Sequence, residues 1–311
     1  MRKQTLGILI LVIFPLMVFS QQKKEEKIKV FYLGGQSNMD GYGYNVDLKK
    51  PLNKTFKNAW IFHGNPVGDD KENGGLGKWE VLMPGHGKGF SADRNRNNLS
   101  DRFGVELSFI KRLQELYPNE KIAIIKYSKG GSSIDSIAAR KFGSWEADYR
   151  GTTGVNQYDN FLNTINEALN IDDIDGDGKK DYLIPSGIIW MQGESDAAYT
   201  EEVATRYYSN LKRLMDLIRA SFRINDLPVV IGKISDSLND DDDGKVWDYG
   251  ELVQYAQEKY VKNDGCAAIV RNTRYYKYSD RYHYDSKSYI DLGEKFADAV
   301  FQLIKNKNNL K

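Results

Sequence analysis

Short apolar runs alternate along this chain with segments of helical period, and that alternation limits the fold more than any other feature. The runs are Ile28–Leu33, Lys121–Tyr127, Gly187–Met191, Pro228–Ile234 and Cys266–Val270. None alternates strictly between apolar and polar residues, as expected of strands buried on both faces of a parallel sheet. Between the first two, Phe103–Leu116 sets Val105, Leu107, Phe109, Ile110, Leu113 and Leu116 largely on one stripe before Pro118 stops it. Further helices are predicted at about 156–169, 201–222, 246–262 and 286–306. Strands alternating with helices form βαβ units, so the expected fold is an α/β/α sandwich around a mostly parallel sheet of about five strands. Residues 40–100 break the rhythm. They are rich in Gly, Asn and Lys and too long for a simple connection, which predicts loops capping one end of the sheet near the ligand site.

The two ends of the chain differ in kind. Arg2 and Lys3 precede an apolar run from Leu6 to Phe19 and then Ser20, the pattern of a cleavable signal peptide over 1–20. That run is shorter than the roughly 20 residues that span a bilayer, and Pro15 interrupts it, so no stable membrane anchor is expected. The expected product is exported, with a polar linker at 21–27 and a single domain over 28–311. Lys+Arg 44 against Asp+Glu 43 gives no electrostatic case for a nucleic-acid partner. A lone Cys266 excludes an intrachain disulfide framework and multi-cysteine metal sites. Imidazole chemistry must come from His63, His86 or His283.

The first strand runs straight into Gly34-Gly35-Gln36-Ser37-Asn38-Met39. Glycines there permit a turn that exposes the Ser37 hydroxyl, which stays an inert alcohol until a base takes its proton. Near the other end Asp280-x-x-His283 can present a carboxylate and an imidazole together, Asp280 fixing the tautomer and His283 acting on Ser37. The same spacing also fits a helix-start carboxylate beside a surface histidine. Two more motifs follow strands: Gly130-Gly131-Ser132 and Gln192-Gly193-Glu194-Ser195-Asp196. The Gly130 and Ser37 backbone N–H groups and the Gln192 amide suit an oxyanion hole.

Taken in order, these blocks resemble the SGNH hydrolase superfamily, and more narrowly its carbohydrate esterase branch of sialate O-acetylesterases and family 6 acetylxylan esterases. The resemblance runs from about residue 30 to 305 and includes the Phe103-Gly-Val-Glu-Leu107 helix start. It implies a flavodoxin-like sheet and a metal-independent serine esterase acting on an acetylated oligosaccharide or polysaccharide, with Ser37, His283 and Asp280 as the triad. It further implies Ser37, Gly130 and Gln192 as oxyanion donors, Gln192 standing where the wider superfamily carries Asn. Gln36, Asn38 and Glu194 are expected to bind substrate. Two other readings remain at this point: a lipid esterase on the same scaffold, lacking a long apolar lid, and a carbohydrate-binding protein without activity.

Asp173, Asp175, Asp177 and Asp181 stand at alternate positions around Gly178, as at the start of a calcium-binding loop, but Ile184 occupies the twelfth position where a bidentate Glu belongs. The loop suits a structural calcium ion or a solvated acidic turn, and no cofactor is expected for catalysis. Asp240–Asp243 lacks the alternation. His63 and His86 are read as structural, and Trp79, Trp145 and Trp190 as packing residues or sugar-stacking platforms.

Overall fold

A computed structural model describes residues 26–66 and 74–309. The predicted signal peptide lies outside the described residues. Seven strands form one sheet: β1 (Glu26–Gly35), β2 (Ala59–His63), β3 (Trp79–Val81), β4 (Lys121–Ser128), β5 (Asp181–Met191), β6 (Val229–Gly232) and β7 (Ala267–Val270). Their order is β7-β6-β5-β1-β4-β2-β3, and only β3 runs antiparallel to its neighbour. The five expected strands are contiguous, running from the β7 edge to β4 in the flavodoxin-like order.

Adjacent residues of β1 point to opposite faces, and each face carries its own helices. Phe31 meets Phe109 edge-on, placing α1 (Glu106–Leu116) on one side, where α5 (Ser286–Asn309) packs against it. Tyr32 meets Phe161 on the other side, which carries α2 (Gln157–Leu169). Tyr32 also approaches Phe222 at the end of α3 (Glu201–Ser221), and α4 (Gly250–Asn263) packs on α3. Ile28, Phe31, Leu33, Ile124, Ile188, Ile189 and Ile231 are buried between these layers.

Three expectations need correction. The excursion over 40–100 is not all loop: Ala59–His63 is wholly buried and extends the sheet beside β4, with β3 on its outer edge. Its apolar stretch is short and set in Gly/Asn/Lys-rich sequence, so only the pairing partner identifies it as a strand. Strand β1 begins at Glu26, inside the stretch expected as linker, and Glu26 already pairs with Asp181. Strand β5 begins at Asp181 rather than Gly187. Pro185 lacks an N–H for the ladder, and a register shift opposite Val30/Phe31 absorbs the irregularity.

Candidate active site

The order of the sheet reverses between β1 and β5, and each of these neighbours ends in the same device. Gly35 and Gly193 take φ of 142° and 145°, and each introduces one turn of helix after at most one further residue, Ser37–Asp40 and Glu194–Ala197. A side chain is excluded at Gly35, where a Cβ would lie 2.0 Å from Met191 O. The first turn is tied to the second strand by Gln36 N–H donating to Met191 O at 2.9 Å. Ser37 keeps a small exposed surface at the start of its turn.

His283 lies in a tight loop whose shape comes from Asp280. The Asp280 carboxylate accepts the Tyr282 and His283 backbone N–H groups at 2.7 and 2.8 Å and stands 2.8 Å from His283 Nδ1. That contact assigns the proton to Nδ1 and leaves Nε2 as the basic nitrogen. Tyr42 stacks on the imidazole with ring centres 3.5 Å apart. Burial lowers the His283 pKa from its ordinary 6.5, although Asp280 and Asp40 pull it upward, so the ring is neutral at pH 7 and able to accept a proton. Burial raises the Asp280 carboxyl, but the His283 hydrogen bond and the Tyr282 N–H outweigh it and hold its pKa below 3.8.

Asn38 joins the two ends of the chain. Its Nδ2 donates to Glu194 Oε1 at 2.7 Å and to Tyr282 O at 3.3 Å, while its Oδ1 accepts from Tyr289 OH at 2.7 Å and Tyr284 N–H at 3.4 Å. The residue next to Ser37 therefore grips the backbone on both sides of His283. No hydrogen bond joins Ser37 Oγ to His283 among the described residues; such contacts commonly tighten only with substrate bound. Asn38 and Glu194 are each 1% exposed, so they offer substrate almost no surface. Burial raises the Glu194 carboxyl against the Asn38 hydrogen bond, and Glu194 Oε2 has no partner among the described residues.

The expected oxyanion donors separate. Ser37 N–H, at the open start of its turn, forms no hydrogen bond among the described residues. Gly130 lies against Ser37, but its N–H donates to Asp40 Oδ2 at 2.9 Å. Gln192 is fully buried: Nε2 donates to Asp196 Oδ2 at 2.6 Å and approaches Ser132 O, while Oε1 accepts from Tyr207 OH at 2.9 Å. Both amide hydrogens are thus engaged away from Ser37. Gln36 has the complementary arrangement. Its Oε1 accepts from Gln192 Nε2, Gly193 N and Ser195 N at 3.2–3.3 Å, which fixes the amide orientation and leaves Nε2 without a partner among the described residues. Burial pushes the Asp196 carboxyl up to about 6 against the backbone N–H groups and Gln192 that stabilise its charge.

Sequence reasoning missed Asp40 and Tyr42, although Asp40 stands one helical turn after Ser37 and so shares its face. The other candidates are structural. His63 stacks on Phe90 and His86 is fully buried, their Nδ1 atoms 3.4 Å apart. Trp79, Trp145 and Trp190 are all buried, and the first two donate to Ala168 O and Ser132 Oγ, so they cannot serve as sugar platforms. Asp173, Asp175 and Asp177 converge, as do Glu26, Asp175 and Asp181, with ligand oxygens within 4.8 Å of one another in each group. These hard carboxylate oxygens suit calcium. Lys121 Nζ bonds Asp175 and Glu26 at 2.6 Å. The cluster lies at the start of β5, whereas the Ser37 turn follows the end of β1.

The chain is similar to known proteins over most of its length. The model of the family described as carbohydrate esterase, sialic acid-specific acetylesterase, matches residues 27–302. No curated protein sequence matches the chain. A protein of known structure from Arabidopsis thaliana shares 18% identity and a TM-score of 0.61 over 88% of this chain and 98% of its own. A carbohydrate acetylesterase from Xanthomonas citri shares 17% identity and a TM-score of 0.57 over 89% of this chain, and the match covers 57% of that longer protein. NanS shares 15% identity and a TM-score of 0.54 over 91% of this chain and 98% of its own.

Proposed function

The chain belongs to the sialic acid-specific acetylesterase family of carbohydrate esterases, whose chemistry is O-acetyl removal from carbohydrate, and on that premise we propose a serine mechanism through an acetyl-enzyme. His283 Nε2 takes the Ser37 proton as Oγ attacks the ester carbonyl, and Asp280 stabilises the imidazolium that forms. Ser37 N–H and Gln36 Nε2 hold the oxyanion, in place of Gln192. His283 then returns its proton to the sugar oxygen, and water releases acetate from Ser37.

The observation that carries this reading is the Asp280–His283 pair, 2.8 Å apart, with the imidazole held neutral and its flanking backbone bound to Asn38 beside Ser37. Asn38 and Glu194 act by positioning, not by touching substrate. Export through the 1–20 leader completes the proposal; no helix of the described residues is long and apolar enough to cross a membrane. The acidic loop at 173–181 is assigned a structural calcium ion with no part in the reaction.

The test is acetate release from O-acetylated sialic acid, acetylated xylan, acetylated mannan and a longer-chain aryl ester, by the native protein and Ser37→Ala. Release from an acetylated glycan that Ser37→Ala abolishes is expected. Turnover confined to the longer-chain ester would indicate a lipid esterase. No turnover of any substrate would indicate a binding protein.

A further inference from the structure

Lys126 sits in the apolar run Ile124-Ile125-Lys126-Tyr127 of β4 and is fully buried. An ammonium there keeps its charge only if its hydrogens are satisfied. Nζ donates to Glu106 Oε2 at 2.9 Å, to Asp40 O at 2.9 Å and to His86 O at 2.7 Å. An ammonium has three hydrogens, and each goes to a different segment of chain. Only Glu106 supplies charge. The other two acceptors are backbone carbonyls, and a charge pair alone would not require them.

One of those carbonyls belongs to the last residue of the nucleophile turn. That turn is a single turn of helix with no side-chain cap at its start. A helix this short does not hold itself, so its placement must be imposed from outside. Met191 O anchors its beginning through Gln36 N–H, and Lys126 anchors its end. The Asp40 carboxylate in turn holds Gly130 N–H, so the second block moves with the turn. His86 brings in the cleft excursion, where Lys88 N–H donates to Gly41 O at 2.8 Å. Glu106 Oε1 accepts from Gly104 N–H at 2.8 Å, and a Cβ on Gly41 would lie 2.1 Å from Gly104 Cα.

We infer that Lys126 is a positioning residue for the esterase reaction: its ammonium locks the Ser37 turn, the 86–88 stretch and the start of α1 into the register that aims Ser37 at His283. The inference rests on Ser37 being the nucleophile. A buried ion pair with only a structural role can be replaced by neutral side chains with little loss. A positioning cation cannot, because small misplacements of reacting groups cost rate.

The test compares native protein, Ser37→Ala, Glu106→Gln and the double variant Lys126→Met/Glu106→Gln on an aryl acetate. The double variant leaves no unpaired buried charge but removes the donor to the Asp40 and His86 carbonyls, so a Tm lowered by a few degrees is expected. Its kcat should fall about 100-fold with KM changed less than about threefold, and the acid limb of its pH profile should stay in place. Glu106→Gln keeps Lys126 Nζ on the Asp40 and His86 carbonyls but leaves its charge unpaired, so its Tm should fall while its kcat, read below that Tm, stays within about tenfold of native; this arm is read even if the double variant fails to fold. Native kcat in a folded double variant would overturn the inference. So would a loss in Glu106→Gln as large as that in the double variant. Equal rates for native protein and Ser37→Ala would instead refute the nucleophile itself.

Discussion

The turns that end β1 and β5 are built alike, a positive-φ glycine and one turn of helix, but differ in what their polar groups have left to give. Both follow a glycine of positive φ and run for one turn of helix on neighbouring strands. In the turn after β5, Gln192 and Asp196 are bound to each other and to Ser132 O, Tyr207 OH and the Ile134 and Asp135 N–H groups. In the turn after β1, Ser37 N–H and Gln36 Nε2 have no partner among the described residues. The first turn is equipped to react and the second to hold it in place. A similar strand-end turn therefore does not assign a chemical role; unspent donors do.

The largest loss should come from outside both turns, because each depends on the base. Asp280→Asn is expected to lower kcat by about 10³–10⁴, since the amide misdirects the imidazole tautomer. Retention of kcat would remove His283 from the mechanism. Next, Gln36→Ala should lower kcat by about 10²–10³ and also reduce stability by about 1–3 kcal/mol, because the Gly193 and Ser195 N–H groups lose their buried acceptor. Gln192→Ala should lose a similar amount, about 1–3 kcal/mol, because buried Asp196 loses its partner, but with a smaller kinetic effect. If Gln192→Ala proves the more damaging to kcat, the assignment of the two turns is inverted.

The pH profile gives a smaller signal. His283 must be neutral to accept a proton, and its pKa lies below 6.5, so kcat/KM should be flat above pH 6.5 and fall as pH drops through that lowered pKa. A midpoint above 6.5 contradicts the site. The smallest effect belongs to the acidic loop near the start of β5. Calcium should raise Tm by a few degrees and a chelator reverse it, with kcat unchanged. Calcium-dependent kcat would join two regions that this account keeps apart.

The layering, the five expected parallel strands, the strand-end turn at Ser37 and the Asp280–His283 contact were legible because each rests on local sequence: an apolar run, a strand-end glycine, an Asp three residues before a His. What escaped depends on pairing over distance. Ala59–His63 is a strand only because β4 lies beside it. Gln36 and Gln192 are chemically identical, and nothing local says which amide is already consumed by Asp196. Lys126 interrupts an apolar strand, a visible irregularity, but its acceptors come from three separate segments of the fold.

The central claim is that Ser37, deprotonated by His283, is the nucleophile. The most direct measurement is covalent labelling by a fluorophosphonate, with the modified peptide identified by mass spectrometry in native protein and in His283→Ala. The account predicts stoichiometric modification at Ser37 in the native protein, slowed at least about 10²-fold in the variant. Labelling at another residue, or at Ser37 with an unchanged rate in His283→Ala, would contradict it.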